Sequence, residues 1–432
     1  MTCVNPEKLL HGIKISSVVP ATVTGETAIH ELCNMDLAMK LHYLKAVYYY
    51  KKEAVEGLDI YALKKPMFKW LAVYCSVSGR IRRTDSGRPF IKCNDSGVRI
   101  VEAQCHMTLD EWLDMKDGSL HKQLVSNNVL GPELHFSPLV YLQFTKFKCG
   151  GMSVGFSWAH VLGDPFIASK FISMWGQHLA GSPLPQSIQL PITKARKPGK
   201  PPHVTAKPLS AKPVEPIGDH WLTTNTCKME VHSFHFTHTQ LKDIKSQISV
   251  QTEPFEAIST LIWHCLAKIR GERGPKIVTV CRNNYLDKDL AGILSNDQMI
   301  STVEADFHVA KGELSELATL IAAGMKNESK EIEAMVDYDT GSPDFIIYGA
   351  NLTFINLEGI DQYGLELKGQ KPVSVYFAID GIGDEGVVLV LPEPPQGVTD
   401  DDGGDGRTVT VILPENEVLK LRDALEKDWC IT

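Results

Sequence analysis

The chain has 432 residues, 43% hydrophobic and 22% charged, which is the composition of a globular protein too long for one core, so two domains are expected. A formal net charge of −8 with no compact basic region argues against a nucleic-acid binder. No run of about 18 apolar residues occurs, so no membrane span is predicted. The ten cysteines form no C-x-x-C pair, which leaves zinc and redox motifs without support and favours free thiols in a reducing compartment. His11, Lys14 and Ser16-Ser17 break up the only apolar N-terminal stretch, so no signal peptide is read and synthesis in the cytosol is expected.

In chain order, the pattern predicts a first long helix capped by Asn34, with Leu37, Leu41 and Leu44 on one side. Tyr48-Tyr49-Tyr50 reads as core packing and Leu63 to Cys75 as a second helix. Arg80-Ile81-Arg82-Arg83 reads as a solvated turn between strands. Leu139 to Phe147 is rich in β-branched and aromatic residues, Cys149-Gly150-Gly151 breaks the run, and Met152 to Trp158 returns with Val154, Phe156 and Trp158 on one face. Asp164-Pro165 then opens a helix: Asp is a favoured cap, and Pro at the first helical position loses no needed hydrogen bond.

Ser182 to Gly218 holds nine prolines, five lysines and one arginine against the single acid Glu215, and reads as a crossover linker. The expected organisation is therefore a domain over 1–181, a linker over 182–220 and a second domain over 221–432. In the latter, Val231–Phe236, Asn351–Asn356, Gly386–Leu391 and Thr408–Leu413 read as strands, and Phe255–Arg270, Glu313–Met325 and Pro414–Glu426 as helices. Strand spacing puts His232 and His235 on opposite faces, which a single metal ion would not bridge. Asp400 to Gly406 is acidic but lacks the spacing of a calcium loop, so no metal is assigned.

The residues that point to chemistry are His160 and Asp164. A spacing of four is weak by itself, and His106 with Asp110 repeats it. That second pair has no strand or glycine turn before it. Asp110 there reads as an acid in a helix first turn and His106 as a surface residue. His160, by contrast, falls in the link between a strand end and a helix start, where an imidazole can serve as an acid or base. A histidine that merely satisfies a backbone carbonyl is the plainer alternative.

Pro138-Leu139-Val140, Phe147 to Gly151 and His160 to Asp164 resemble the BAHD acyltransferases of plants. Ser16 to Ala21, Met35 to Tyr43, Ser78 to Arg82, Cys93 to Gly97 and Tyr348 to Phe354 are similar to the Eceriferum/Glossy-type branch. The resemblance implies an α/β, two-domain chloramphenicol-acetyltransferase-like fold, mixed sheets flanked by helices, with the site between the domains. It implies that His160 is the general base that takes a proton from an alcohol or amine as that group attacks an acyl-CoA thioester. It also implies that Asp164 turns away from the substrate and braces the loop.

The chain departs from the family at three places. Pro165 replaces the glycine after the motif aspartate. Counting back from Lys371-Pro372, the family's Asp-Phe-Gly-Trp-Gly is Glu366-Leu367-Lys368-Gly369-Gln370, so both glycine positions carry side chains. The prolines that follow the second-domain arginine are missing; Arg282 is the nearest candidate to pair with Asp164. Thr353 falls where the family keeps a Thr or Ser near the reacting carbonyl.

The branch resemblance implies a role in very-long-chain fatty acid elongation for cuticular wax. The protein would be a partner of an elongase condensing enzyme, cytoplasmic and peripheral to the endoplasmic reticulum, with no bound cofactor. The alternative is an acyl-CoA-dependent O- or N-acyltransferase that uses long-chain acyl-CoA and His160. A lipid-binding module without turnover is a third, minor reading.

Overall fold

The computed structural model describes residues 9–115, 118–183, 207–248, 250–283, 294–337, 339–393 and 406–432. Most of the Pro/Lys-rich stretch and of the acidic run from Asp400 lie outside the described residues, as does Asn284.

Two mixed sheets organise the chain. The first has six strands in the order Leu10–Val18, Val98–Cys105, Val140–Phe147, Met152–Ala159, Tyr43–Tyr50, Ser374–Asp380. The second has seven, in the order Met229–Phe236, Arg407–Pro414, Val387–Pro392, Leu352–Asn356, Ile277–Arg282, Met299–Glu304, Lys326–Asn327. The late strand Ser374–Asp380 completes the first sheet by pairing antiparallel with Tyr43–Tyr50. Helices Ile60–Val73 and Pro165–Leu179 pack together beside the first sheet, and Pro254–Arg270 packs with Glu415–Trp429 and Leu314–Ala323 beside the second.

The period of two along the second sheet explains how the sheets join. Cys281, Val387, Leu389, Leu391 and Ile412 pack into the same core as the first sheet. Their neighbours Val280, Val388, Val390 and Val411 pack under the helices of the second. Alternate side chains point to opposite faces, so this sheet is apolar on both. One of those faces is the seam against the first sheet.

Several expectations need correction. The helix at Asn34 ends at Ala38, and its cap is Cys33, not Asn34. Leu44 belongs to the strand Tyr43–Tyr50, whose eight residues are all buried. Pairing on both edges, with Met152–Ala159 and Ser374–Asp380, overrides the helical spacing. Arg80–Arg83 is a strand rather than a solvated turn. Arg80 is buried, and one guanidinium nitrogen donates to the carbonyls of Gly79 at 2.7 Å and Gly97 at 3.0 Å. The other expected elements form with ends shifted by up to three residues, including helices Ile60–Val73 and Glu415–Trp429. Asp110 lies in the first turn of the helix Leu109–Leu113 and His106 is exposed, as expected.

Candidate functional site at the seam between the sheets

The strand Met152–Ala159 delivers His160 to a single 3₁₀ turn, His160–Leu162, before the helix Pro165–Leu179 begins. Gly150 makes the preceding hairpin turn at φ +89°. Gly163 sits at φ +151°, where a Cβ would come within 2.9 Å of Ile167, so only glycine lets the chain turn between the histidine and the aspartate. The Gly163 carbonyl accepts the Trp158 indole N–H at 2.9 Å, and its N–H donates to the His160 carbonyl at 3.0 Å.

Asp164 is buried and points back along its helix. Its Oδ1 accepts the N–H groups of Phe166 at 3.0 Å and Ile167 at 3.2 Å, so the cap works with proline at the first helical position. Its Oδ2 accepts the N–H of Asp297, from the loop before the strand Met299–Glu304. Asp164 therefore ties the histidine loop to the second sheet. Arg282, the arginine expected beside it, instead ion-pairs with Glu256 at 3.1 Å and lies over the Phe255 ring.

The His160 ring is fully buried at the seam. Its N–H backbone group donates to the His42 carbonyl at 3.1 Å, and its carbonyl accepts Asn296 Nδ2 at 2.9 Å. Its Nε2 lies 3.2 Å from the Tyr348 hydroxyl. That hydroxyl in turn donates to Gln298 Oε1. Since the hydroxyl's own proton goes to Gln298, the imidazole faces the phenol oxygen with Nε2–H donating. The other ring nitrogen, Nδ1, has no hydrogen-bond partner among the described residues. Burial lowers the His160 pKa to about 4, against smaller upward contributions from its own backbone carbonyl and from Asn296, so the ring is neutral at physiological pH.

His42 completes an aromatic cluster. Its ring lies 4.7 Å from that of Tyr348 and 6.1 Å from that of His160, centroid to centroid. Its Nε2 accepts the backbone N–H of Tyr348 at 3.3 Å and of Ile347 at 3.4 Å. Burial first, then the nearby His160, lower its pKa to about 3. Behind this cluster Asp36 is buried, and burial raises its pKa. Its Oδ1 accepts both the backbone N–H and the side-chain amide of Asn296, at 2.9 and 3.0 Å. Asp36, Asn296 and the His160 carbonyl thus form one chain of hydrogen bonds across the seam.

Five residues of this site, Asp36, His42, Asn296, Gln298 and Tyr348, were not singled out from the sequence. Asp36, His42 and Tyr348 fall within stretches that carry the family resemblance, which is the one signal that pointed to them. The other expectations resolve as follows. Thr353 Oγ1 donates to the Asn351 carbonyl at 2.8 Å and accepts the Gly349 N–H at 3.1 Å, so its hydroxyl serves the local turn. Glu366 to Gln370 forms a two-residue hairpin turn: Lys368 and Gly369 have φ +51° and +73°, and Leu367 and Gln370 exchange both backbone hydrogen bonds. Lys368, at one of the two family glycine positions, therefore takes a left-handed backbone without being glycine. Among the described residues no group of three or more His, Cys, Asp or Glu side chains is placed to hold a metal ion, and no helix is long and apolar enough to cross a membrane.

Residues 11–283 match the description of the Transferase family. The chain is 40% identical to Protein ECERIFERUM 26-like of Arabidopsis thaliana, over 98% of this chain and 97% of that one. It is also 40% identical to Protein ECERIFERUM 2 of the same plant, over 95% and 96%. Among solved structures it resembles vinorine synthase, with a TM-score of 0.72 at 15% identity over 95% of this chain and 96% of that one. The latter likeness is one of fold, and the fold is the chloramphenicol-acetyltransferase-like arrangement expected above.

Proposed function

The chain belongs to the BAHD Transferase family, in the branch of the ECERIFERUM proteins, and from that premise we propose that it promotes very-long-chain fatty acid elongation for cuticular wax as a partner of an elongase condensing enzyme. In this reading it works from the cytoplasm at the surface of the endoplasmic reticulum and does not rely on His160 as a base. The observation that carries the reading is the closed state of that imidazole. Its Nε2 is engaged by Tyr348, and the ring is wholly buried. A general base must come within hydrogen-bond reach of the proton it takes, and here a phenol from the other side of the seam holds that place. The altered turn at Glu366–Gln370 supports the same reading.

One observation favours a second reading, an acyl-CoA-dependent acyltransferase. His160 is neutral at physiological pH, the form a base requires, and Asp164 braces its loop as that chemistry would demand. In that case an acceptor hydroxyl or amine gives its proton to His160 as it attacks the thioester carbonyl, and the CoA thiol leaves with a proton.

Co-expression with a condensing enzyme, with products resolved by chain length, separates the two. General-base help is worth about 10²–10⁴-fold in rate. The partner reading expects His160→Ala to leave the longer products in place. A folded variant that returns the products to those of the condensing enzyme alone would overturn it.

A further inference from the structure

A recess lies where the two sheets meet, away from His160. It is a cavity of about 530 Å³ walled by Leu113 and His121, by Tyr376, by the edge strand Met229–Phe236 and by the closing helix Glu415–Trp429. That volume is typical of small-molecule sites. In the first sheet Tyr376 pairs with Val47, whereas Asp380 pairs with Tyr43, beside the His42 carbonyl that holds His160. Four residues of strand, about 13 Å, separate the two places.

The recess holds polar groups aimed at nothing in the fold. The Tyr376 hydroxyl is buried and has no hydrogen-bond partner among the described residues, although the residue is only 8% exposed. A buried hydroxyl without a partner costs free energy that a ligand would recover. The Tyr376 ring is held by stacking on His121, 4.3 Å between centroids at 18°, and His121 Nδ1 is bonded to the Tyr49 hydroxyl at 2.5 Å. At the mouth, exposed Arg422 has no ion-pair partner among the described residues, and Glu426, one turn along the same helix, also lines the recess. His232 stands beside Arg422, and burial followed by that cation lowers its pKa to about 4. The His235 N–H donates to a backbone oxygen of Thr432 across the open edge of its strand, so by the period of two the backbone of Ser233 faces the recess as well.

We propose that this cavity binds a small organic acid, with the ligand's carboxylate on Arg422 at the mouth and a hydrogen-bond acceptor at its inner end on the Tyr376 hydroxyl. The short apolar body between those two groups lies against Leu113 and Phe234. A guanidinium matches a carboxylate in shape as well as charge, and the phenol is a donor in search of an acceptor. The site is independent of the use or disuse of His160.

Titration calorimetry of the full chain tests this with three probes: levulinate, which has a carboxylate and an inner carbonyl; pentanoate, which lacks the carbonyl; and pentan-2-one, which lacks the carboxylate. Levulinate should bind about tenfold more tightly than pentanoate, as one added hydrogen bond predicts, and pentan-2-one should give no heat. Arg422→Gln should weaken levulinate about tenfold. Tyr376→Phe should erase the advantage of levulinate over pentanoate while pentanoate still binds, which also checks that the variant is folded. Levulinate binding no tighter than pentan-2-one, or unchanged by Arg422→Gln, overturns the proposal. So does inorganic phosphate binding as tightly as levulinate, which would make the site one for a bare anion. If either variant fails to fold, the comparison of the three probes on the unaltered chain still decides.

Discussion

The Tyr348 hydroxyl lies 3.2 Å from Nε2 of His160, across 188 residues of chain, and donates its own hydrogen bond to Gln298 Oε1. The contact joins a loop of the first sheet to a loop of the second. It also decides whether the imidazole can be reached.

The burial of His160 predicts chemical protection. Diethyl pyrocarbonate should modify exposed His106 readily and His160 at least tenfold more slowly, read by peptide mass spectrometry. Tyr348→Ala removes the phenol and opens the space it fills, so the His160 rate should rise several-fold. Equal rates for the two histidines in the unaltered chain would refute the closed site.

Asp164 is a helix cap and a tie to Asp297. Loss of a cap costs about 0.5–2 kcal/mol, and three N–H groups lose their acceptor here. Asp164→Ala should lower stability by about 2–3 kcal/mol in a denaturant titration. Asp164→Asn retains an acceptor oxygen and should lose less than half as much.

Acid should destabilise the fold before the carboxylates titrate. His30, His42 and His160 are buried, and burial lowers their pKa values to about 4, 3 and 4. Each group's folded value is below its unfolded value of about 6.5, so between those values the unfolded chain binds more protons and stability rises with pH. The stabilisation is complete above about pH 6.5 and is lost as pH falls towards 4. Each ring contributes on the order of 3 kcal/mol. Among the described residues neither ring nitrogen of His30 has a hydrogen-bond partner, so His30→Leu should flatten the pH dependence of the melting temperature between 6.5 and 4. An unchanged slope would remove His30 from the account.

Lys368 occupies a left-handed position, φ +51°, in the turn that replaces the family's glycine-rich signature. That conformation costs a non-glycine residue roughly 1 kcal/mol. Lys368→Gly should therefore be neutral or stabilise by up to about 1 kcal/mol, less whatever is lost with the Lys368 Nζ bond to the Glu56 carbonyl. A large loss would mean that the lysine side chain, and not the backbone path, holds the turn.

The secondary elements around the site were legible because each rests on neighbours in sequence. The strand Met152–Ala159, the turn at Gly150 and the cap at Asp164 follow from β-branched content, positive φ and a carboxylate ahead of proline. The helix expected to continue through Leu41 and Leu44 failed for the opposite reason. Its leucines do recur at helical spacing, but Tyr43–Tyr50 is bordered on both sides by strands that complete its hydrogen bonds. One of those partners is more than 300 residues away, and no local pattern reports it. Arg80 was misread likewise: a cation reads as solvated until the fold encloses it with backbone carbonyls.

By itself the order of residues determined the family, through its motifs, and the placing of His160 between a strand end and a helix start, since that placing depends on contacts a few positions apart. What stands against the imidazole was decided only when the sheets closed on each other. Asn296 and Tyr348 reach it from 136 and 188 positions away. Periodicity and propensity act over one or two turns of chain, whereas the burial and the hydrogen bonds that govern this ring come from packing between distant segments.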